Sequence, residues 1–289
     1  MSTEGPCENA TSPINITTSD LVCSNVCDYK YSYALSDCQL SNQGDYIAIK
    51  TNTTGNNVTF NNTPFSLIET RLYQPSLHTF NGVHLTAELI IQHMSGDQNL
   101  LICIPVTTSN GKSKSVDFFN SFLPYAPQNE GAQTNVNVNN WSLNNVVPIG
   151  GYYYYRATAP FPPCTGIFNI IVFDKSSVAQ MSSDDLPHLT SVITRNTLRA
   201  RDSPAGGLYY NSSGTISQGA GSNDIYIDCQ PVGSGEEEDD DIHVTHIPKP
   251  FKHPDFKKLA SSKYASVAIG VILLIVLKKV YDKVLDKLF

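Results

Sequence analysis

The sequence predicts a mainly β domain carried on a C-terminal membrane helix, and three observations predict it. Through residue 231, short apolar runs alternate with turn-forming residues. Residues 232–256 then hold six consecutive acids, Glu236 to Asp241, followed by three prolines. Beyond them, Tyr264 to Leu277 is a stretch of 14 residues without a charge.

The strands are predicted by their patterning. Tyr46-Ile-Ala-Ile-Lys-Thr51, Leu67-Ile-Glu-Thr-Arg-Leu-Tyr73, Ala87-Glu-Leu-Ile-Ile-Gln-His93 and Ile167-Phe-Asn-Ile-Ile-Val-Phe173 are rich in β-branched and aromatic residues. Asn81-Gly82, Asn110-Gly111 and Gly150-Gly151 supply turns between such runs. Helical spacing is confined to Val116–Phe122 and Ser182–Thr194.

The tail follows from charge and length. A block of like charge cannot collapse, and prolines deny it a helix, so residues 232–256 form a solvated linker. The uncharged stretch from Tyr264 to Leu277 covers about 21 Å as a helix, and flanking lysines can snorkel to extend it. Leu277, Val280, Tyr281, Val284, Leu285 and Leu288 continue it as an apolar stripe with lysines opposite. A membrane anchor over 257–289 is expected, either spanning or lying on the surface.

Composition narrows the function. The chain of 289 residues has a formal net charge of −7. Residues 1–231 contribute −7, residues 232–248 contribute −6 and residues 249–289 contribute +6. No nucleic-acid partner is expected of such a domain. Of seven cysteines, at 7, 23, 27, 38, 103, 164 and 229, an odd one must stay free or pair between chains. Cys23 and Cys27 read as two ordinary thiols or one local disulfide, not half of a zinc finger. The polar N-terminus, without a basic or apolar region, is not expected to act as a cleavable signal peptide, although seven glycosylation sequons occur, at Asn9, Asn15, Asn52, Asn57, Asn61, Asn140 and Asn211.

Four segments, in order, carry a family resemblance. They are Thr11-Ser-Pro-Ile-Asn-Ile16, Asn42-Gln-Gly-Asp-Tyr46, Ser76-Leu-His-Thr79 with Ala87-Glu-Leu-Ile-Ile-Gln-His93, and Tyr152 to Thr165 with its Pro-Pro-Cys-Thr ending. Together they resemble the α-carbonic anhydrases over about residues 7–200. The resemblance implies a twisted, mostly antiparallel sheet with few short helices and a conical zinc site.

That chemistry needs three neutral imidazoles on Zn²⁺, leaving one position for an acidified water. Two ligands alternate along one strand and the third lies on its neighbour. The resemblance matches the three ligand positions to Thr70, Leu72 and Ile90. It matches the relay pair to Leu77 and Pro160, the proton shuttle to Asp45, and a pocket-wall tryptophan to Ile170. No catalytic residue, metal ligand or cofactor is therefore expected, and the cone is expected to be more apolar and partly filled. His93 is expected to point away from the old zinc site.

The scaffold residues are retained. The resemblance implies a Cys7–Cys164 disulfide and a core network of His78, Glu88 and Tyr155. The implied function is a non-enzymatic, membrane-anchored virion surface protein, similar in organisation to attachment proteins of large DNA viruses. It places the domain outside the virion, with the host membrane as its site of assembly. Its partner would be a membrane and a cell-surface glycan or receptor, with Arg195, Arg199 and Arg201 as candidate glycan contacts. The alternatives are a structural link between membrane and capsid proteins, a cellular carbonic-anhydrase-related binding protein, or an altered-site enzyme.

Overall fold

The computed structural model describes residues 7, 9–17, 21–23, 27–138, 141–162, 164–202, 204 and 207–217. The linker at 232–256, Cys229 and the anchor at 257–289, with Tyr264 and Leu277, lie outside the described residues. Among the described residues no helix is long and apolar enough to cross a membrane.

The elements are mostly strands. In chain order they begin β1 (Asn15–Ile16), β2 (Leu21–Val22), β3 (Tyr29–Tyr31), β4 (Cys38–Asn42), β5 (Tyr46–Thr51) and β6 (Asn56–Phe60). The centre is β7 (Thr63–Tyr73), β8 (Thr79–Phe80), β9 (Val83–His84), β10 (Ala87–Ser95) and β11 (Gln98–Ser109). After helix α1 (Lys114–Phe122) come β12 (Gln133–Val136), β13 (Tyr152–Ala157), β14 (Phe168–Phe173) and β15 (Ala179–Ser182). Helix α2 (Asp185–Val192) precedes β16 (Tyr209–Asn211) and β17 (Ile216–Ser217).

One large sheet runs β12-β4-β5-β7-β10-β11-β14-β13-β16-β2, with β3, β6, β15 and β17 joined beside this path. The pairs are mostly antiparallel; β11 is parallel to both β14 and β15. Hairpin β8–β9 turns through Asn81 and Gly82 at φ 51° and 79°. Both turn residues need positive φ, which an Asn-Gly pair adopts at little cost.

The helices start and stop where local chemistry allows. Ser113 caps α1, its hydroxyl accepting from the Val116 N–H. α2 is shorter than its sequence pattern, because Ser182 ends β15, which pairs with Val106–Ser109.

The central sheet is buried on both faces. Leu72, Leu89, Ile91, Ile102 and Ile104 face the larger core, where Phe118, Phe119 and Phe122 of α1 pack with Trp141. Ile90, Leu101, Cys103, Ile170 and Val172 face a second core with Ile14, Leu77 and Phe161. Alternate residues thus enter different cores, and β10 is buried almost continuously.

Candidate functional site

The site is built by the pairing of β7 with β10. Opposed residues of an antiparallel pair share a face. Arg71 stands opposite Ile90, whereas Thr70 stands opposite Ile91 and Leu72 opposite Leu89. Thr70 and Leu72 are therefore on the face of the larger core, fully buried. They do not converge with Ile90. This corrects the sequence-based placement of the ligand positions by one residue: the positions of β7 that share the Ile90 face are Glu69, Arg71 and Tyr73.

Arg71 and Tyr73 line a cleft of about 480 Å³. Ile90 does not line it; 1% exposed, its side chain lies in the second core. The cleft walls include Asp45, Tyr46, Pro160 and Phe161 from the β4–β5 turn, the start of β5 and the segment after β13. The remaining wall is the extended segment Thr194–Leu198. Leu77 is buried in the second core rather than in the cleft, and Ile170 lies there too. The walls are of mixed character, so the expectation of a more apolar cone is also corrected: the one-residue shift brings Arg71, not Leu72, to the cleft.

Arg71 is held on three sides. Its Nε donates to Glu69 Oε2 at 2.7 Å. Its guanidinium carbon lies 4.0 Å from the Phe161 ring centre and 4.9 Å from that of Tyr46. Burial pushes the Tyr73 phenol well up, against the pull of Arg71. Partial burial raises the Asp45 carboxyl, against a backbone hydrogen bond and Arg71.

This donor set does not fit a zinc ion. A guanidinium has no lone pair to give, an isoleucine none at all, and a protonated phenol is a poor ligand. The one cluster of metal-capable side chains among the described residues lies elsewhere, at His78, Glu88 and Cys103. There His78 Nδ1 meets Glu88 Oε1 at 2.6 Å and Nε2 meets the Tyr155 hydroxyl at 2.6 Å. The His78 N–H donates to Glu88 Oε2 at 2.8 Å. Burial alone would raise the Glu88 carboxyl, but the His78 ring and backbone donors outweigh it and hold it below its usual range. Both ring nitrogens are engaged, so this is a satisfied buried network.

His93 faces the larger core and its Nε2 meets the Tyr33 hydroxyl at 2.8 Å. Cys7 and Cys164 form a disulfide, as do Cys23 and Cys27, while Cys38 and Cys103 are free and buried. Arg195, Arg199 and Arg201 are exposed, with Asn196, Leu198 and Ala200 half-buried between them. Their segment is pinned by Thr194 N–H to Gly44 O at 2.7 Å, Asn196 N–H to Gln74 O at 2.8 Å, and Arg201 N–H to Pro13 O at 2.7 Å. Arg195 and Arg199 also line a second cleft of about 360 Å³ with His84. Sequence reasoning missed Arg71 as the cleft's cation; the available signal was the alternation itself, counted from Tyr73 instead of Leu72.

The fold is that of the α-carbonic anhydrases. The enzyme of Thermovibrio ammonificans, in complex with sulfanilamide, superposes with a TM-score of 0.60 at 21% identity, over 70% of this chain and 87% of that one. The Photobacterium profundum enzyme gives 0.60 at 17% identity, over 69% and 88%. Dioscorin, complexed with ascorbate, gives 0.55 at 20% identity, over 70% and 86%. No protein-family model and no curated protein matches the sequence.

Proposed function

We propose that this chain uses the carbonic anhydrase-like scaffold without its enzyme chemistry, as a membrane-anchored adhesion protein on a virion surface. The observation that carries the first half is the identity of the side chains on the Ile90 face. Arg71, Tyr73 and Ile90 offer no set of three neutral ligands, so nothing there can lower the pKa of a bound water. Pro160, at the position the resemblance gives to a relay hydroxyl, has none to offer.

Several features support display. Two disulfides suit a domain that meets an oxidising exterior. An acidic linker and an apolar, lysine-flanked tail suit a stalk and an anchor. The arginines of the 195–201 segment are spaced two apart or four apart along an extended chain that is pinned at both ends. Three exposed cations at that spacing would suit a sulfated glycan.

The test is binding of the full-length protein, reconstituted in liposomes, to cells with and without sulfated glycans. Glycan-dependent binding that weakens with salt and is lost on replacing Arg195, Arg199 and Arg201 by alanine is the expected result. No cell binding, with the protein instead co-purifying with capsid proteins, would overturn adhesion in favour of a structural link.

A further inference from the structure

We infer that the cleft over Arg71 is a recognition site for an organic carboxylate, such as a sugar acid, with the guanidinium holding it end-on. Adhesion through the 195–201 edge is a separate reading, and this inference does not depend on it.

The geometry leaves one edge of the guanidinium for a ligand. Glu69 takes the Nε side at 2.7 Å. The Phe161 ring, 4.0 Å from the guanidinium carbon, covers one face, and Tyr46 stands 4.9 Å away. Tyr73 shares a further hydrogen bond with the guanidinium, so the donors left toward the cleft are the terminal N–H groups that Tyr73 does not take. Two parallel N–H groups match the two oxygens of a carboxylate. The ring contacts and the ion pair fix the plane beforehand, so little rotamer entropy is lost on binding.

Charge favours the same ligand. The cleft is lined by two cations, Arg71 and Arg195, and one acid, Asp45. Glu69, which offsets Arg71, does not line it. Asp45 stands at the exposed mouth, and partial burial opposes its ionisation. The volume of about 480 Å³ accepts a single sugar ring with its water. A carboxylate of this kind could be the terminal sugar acid of a glycan or a free small acid.

The experiment is calorimetric titration of the full-length protein in detergent with acetate, D-glucuronate, D-glucose and a glucuronate-capped trisaccharide. Acetate and glucuronate should bind and glucose should not. Arg71→Lys keeps the charge and removes the fork, and should weaken glucuronate about tenfold, the effect of one charge-assisted hydrogen bond. Asp45→Asn, at an exposed position, should strengthen it about twofold to fivefold, as removing a partly screened like charge does. Tighter binding of the capped trisaccharide than of glucuronate identifies the glycan as the source, and weaker binding identifies the free acid. Equal binding of glucose and glucuronate, no binding of any carboxylate, or affinities unmoved by both substitutions would overturn the inference.

Discussion

Arg71 and Ile90 stand directly opposite each other on β7 and β10, so the side chain that shares the Ile90 face is a fixed cation. In a zinc enzyme of this fold the same pairing would join two ligand strands. Here it joins a guanidinium that lines the cleft to an alkyl group buried in the second core.

This pairing predicts which substitutions can rebuild a metal site. Arg71→His, Tyr73→His and Ile90→His together place three imidazoles on one face, and the triple variant should take up zinc. Thr70→His, Leu72→His and Ile90→His instead bury two imidazoles in the larger core, where Thr70 and Leu72 are fully buried. That variant should unfold or lose about 3 kcal/mol or more without gaining metal. Metal content and chemical denaturation of the two triples check both halves.

The one-residue shift also measures how far the sequence could be read. Strands β5, β10 and β14, the cores of both helices and the Cys7–Cys164 bridge were legible, since turn signals, apolar runs and motif positions agree there. The phase of β7 was not. A strand with one wet face announces its register, but Glu69-Thr-Arg-Leu-Tyr73 lies between two cores and a cleft. Thr70, a polar residue, enters the larger core with its hydroxyl unpartnered, and charged Arg71 enters the cleft. Polarity therefore gave no clean alternation to count from.

His93 predicts an acid-sensitive stability. Burial lowers its pKa from 6.5 to about 3 in the folded protein. Between those values the unfolded chain binds a proton that the folded chain refuses, so stability rises with pH across this window and falls as pH drops through it. The Glu88 contribution has the same sign but is lost only below the usual carboxylate range, as pH falls through its depressed folded value. His93→Gln, which can keep a bond to Tyr33, should flatten the slope between about pH 4 and 6 while leaving the loss at lower pH. Urea midpoints across pH check it; an unchanged slope in the variant would remove His93 as its source.

The long disulfide predicts a stability loss of ordinary size. Cys7 and Cys164 are 157 residues apart in sequence. Replacing both by serine should cost about 2–4 kcal/mol, chiefly by freeing the unfolded chain. Denaturant unfolding checks it, with the Cys23–Cys27 bridge, which closes a separation of only 4, as the smaller comparison.

The tail predicts membrane partition. Deleting residues 257–289 should release the protein from membranes. The full chain should stay bound through a high-salt wash if the helix spans and leave if it lies on the surface by charge. Flotation on a density gradient checks it. Membrane association of the truncated chain would end the assignment of this segment as the anchor.

The central claim is that this scaffold works without zinc hydroxide. Its most direct test is elemental analysis of the purified full-length protein together with CO2 hydration measured with and without a chelator. We expect far less than stoichiometric zinc and hydration no faster than the buffer. Stoichiometric zinc, with hydration above background that the chelator abolishes, would contradict it.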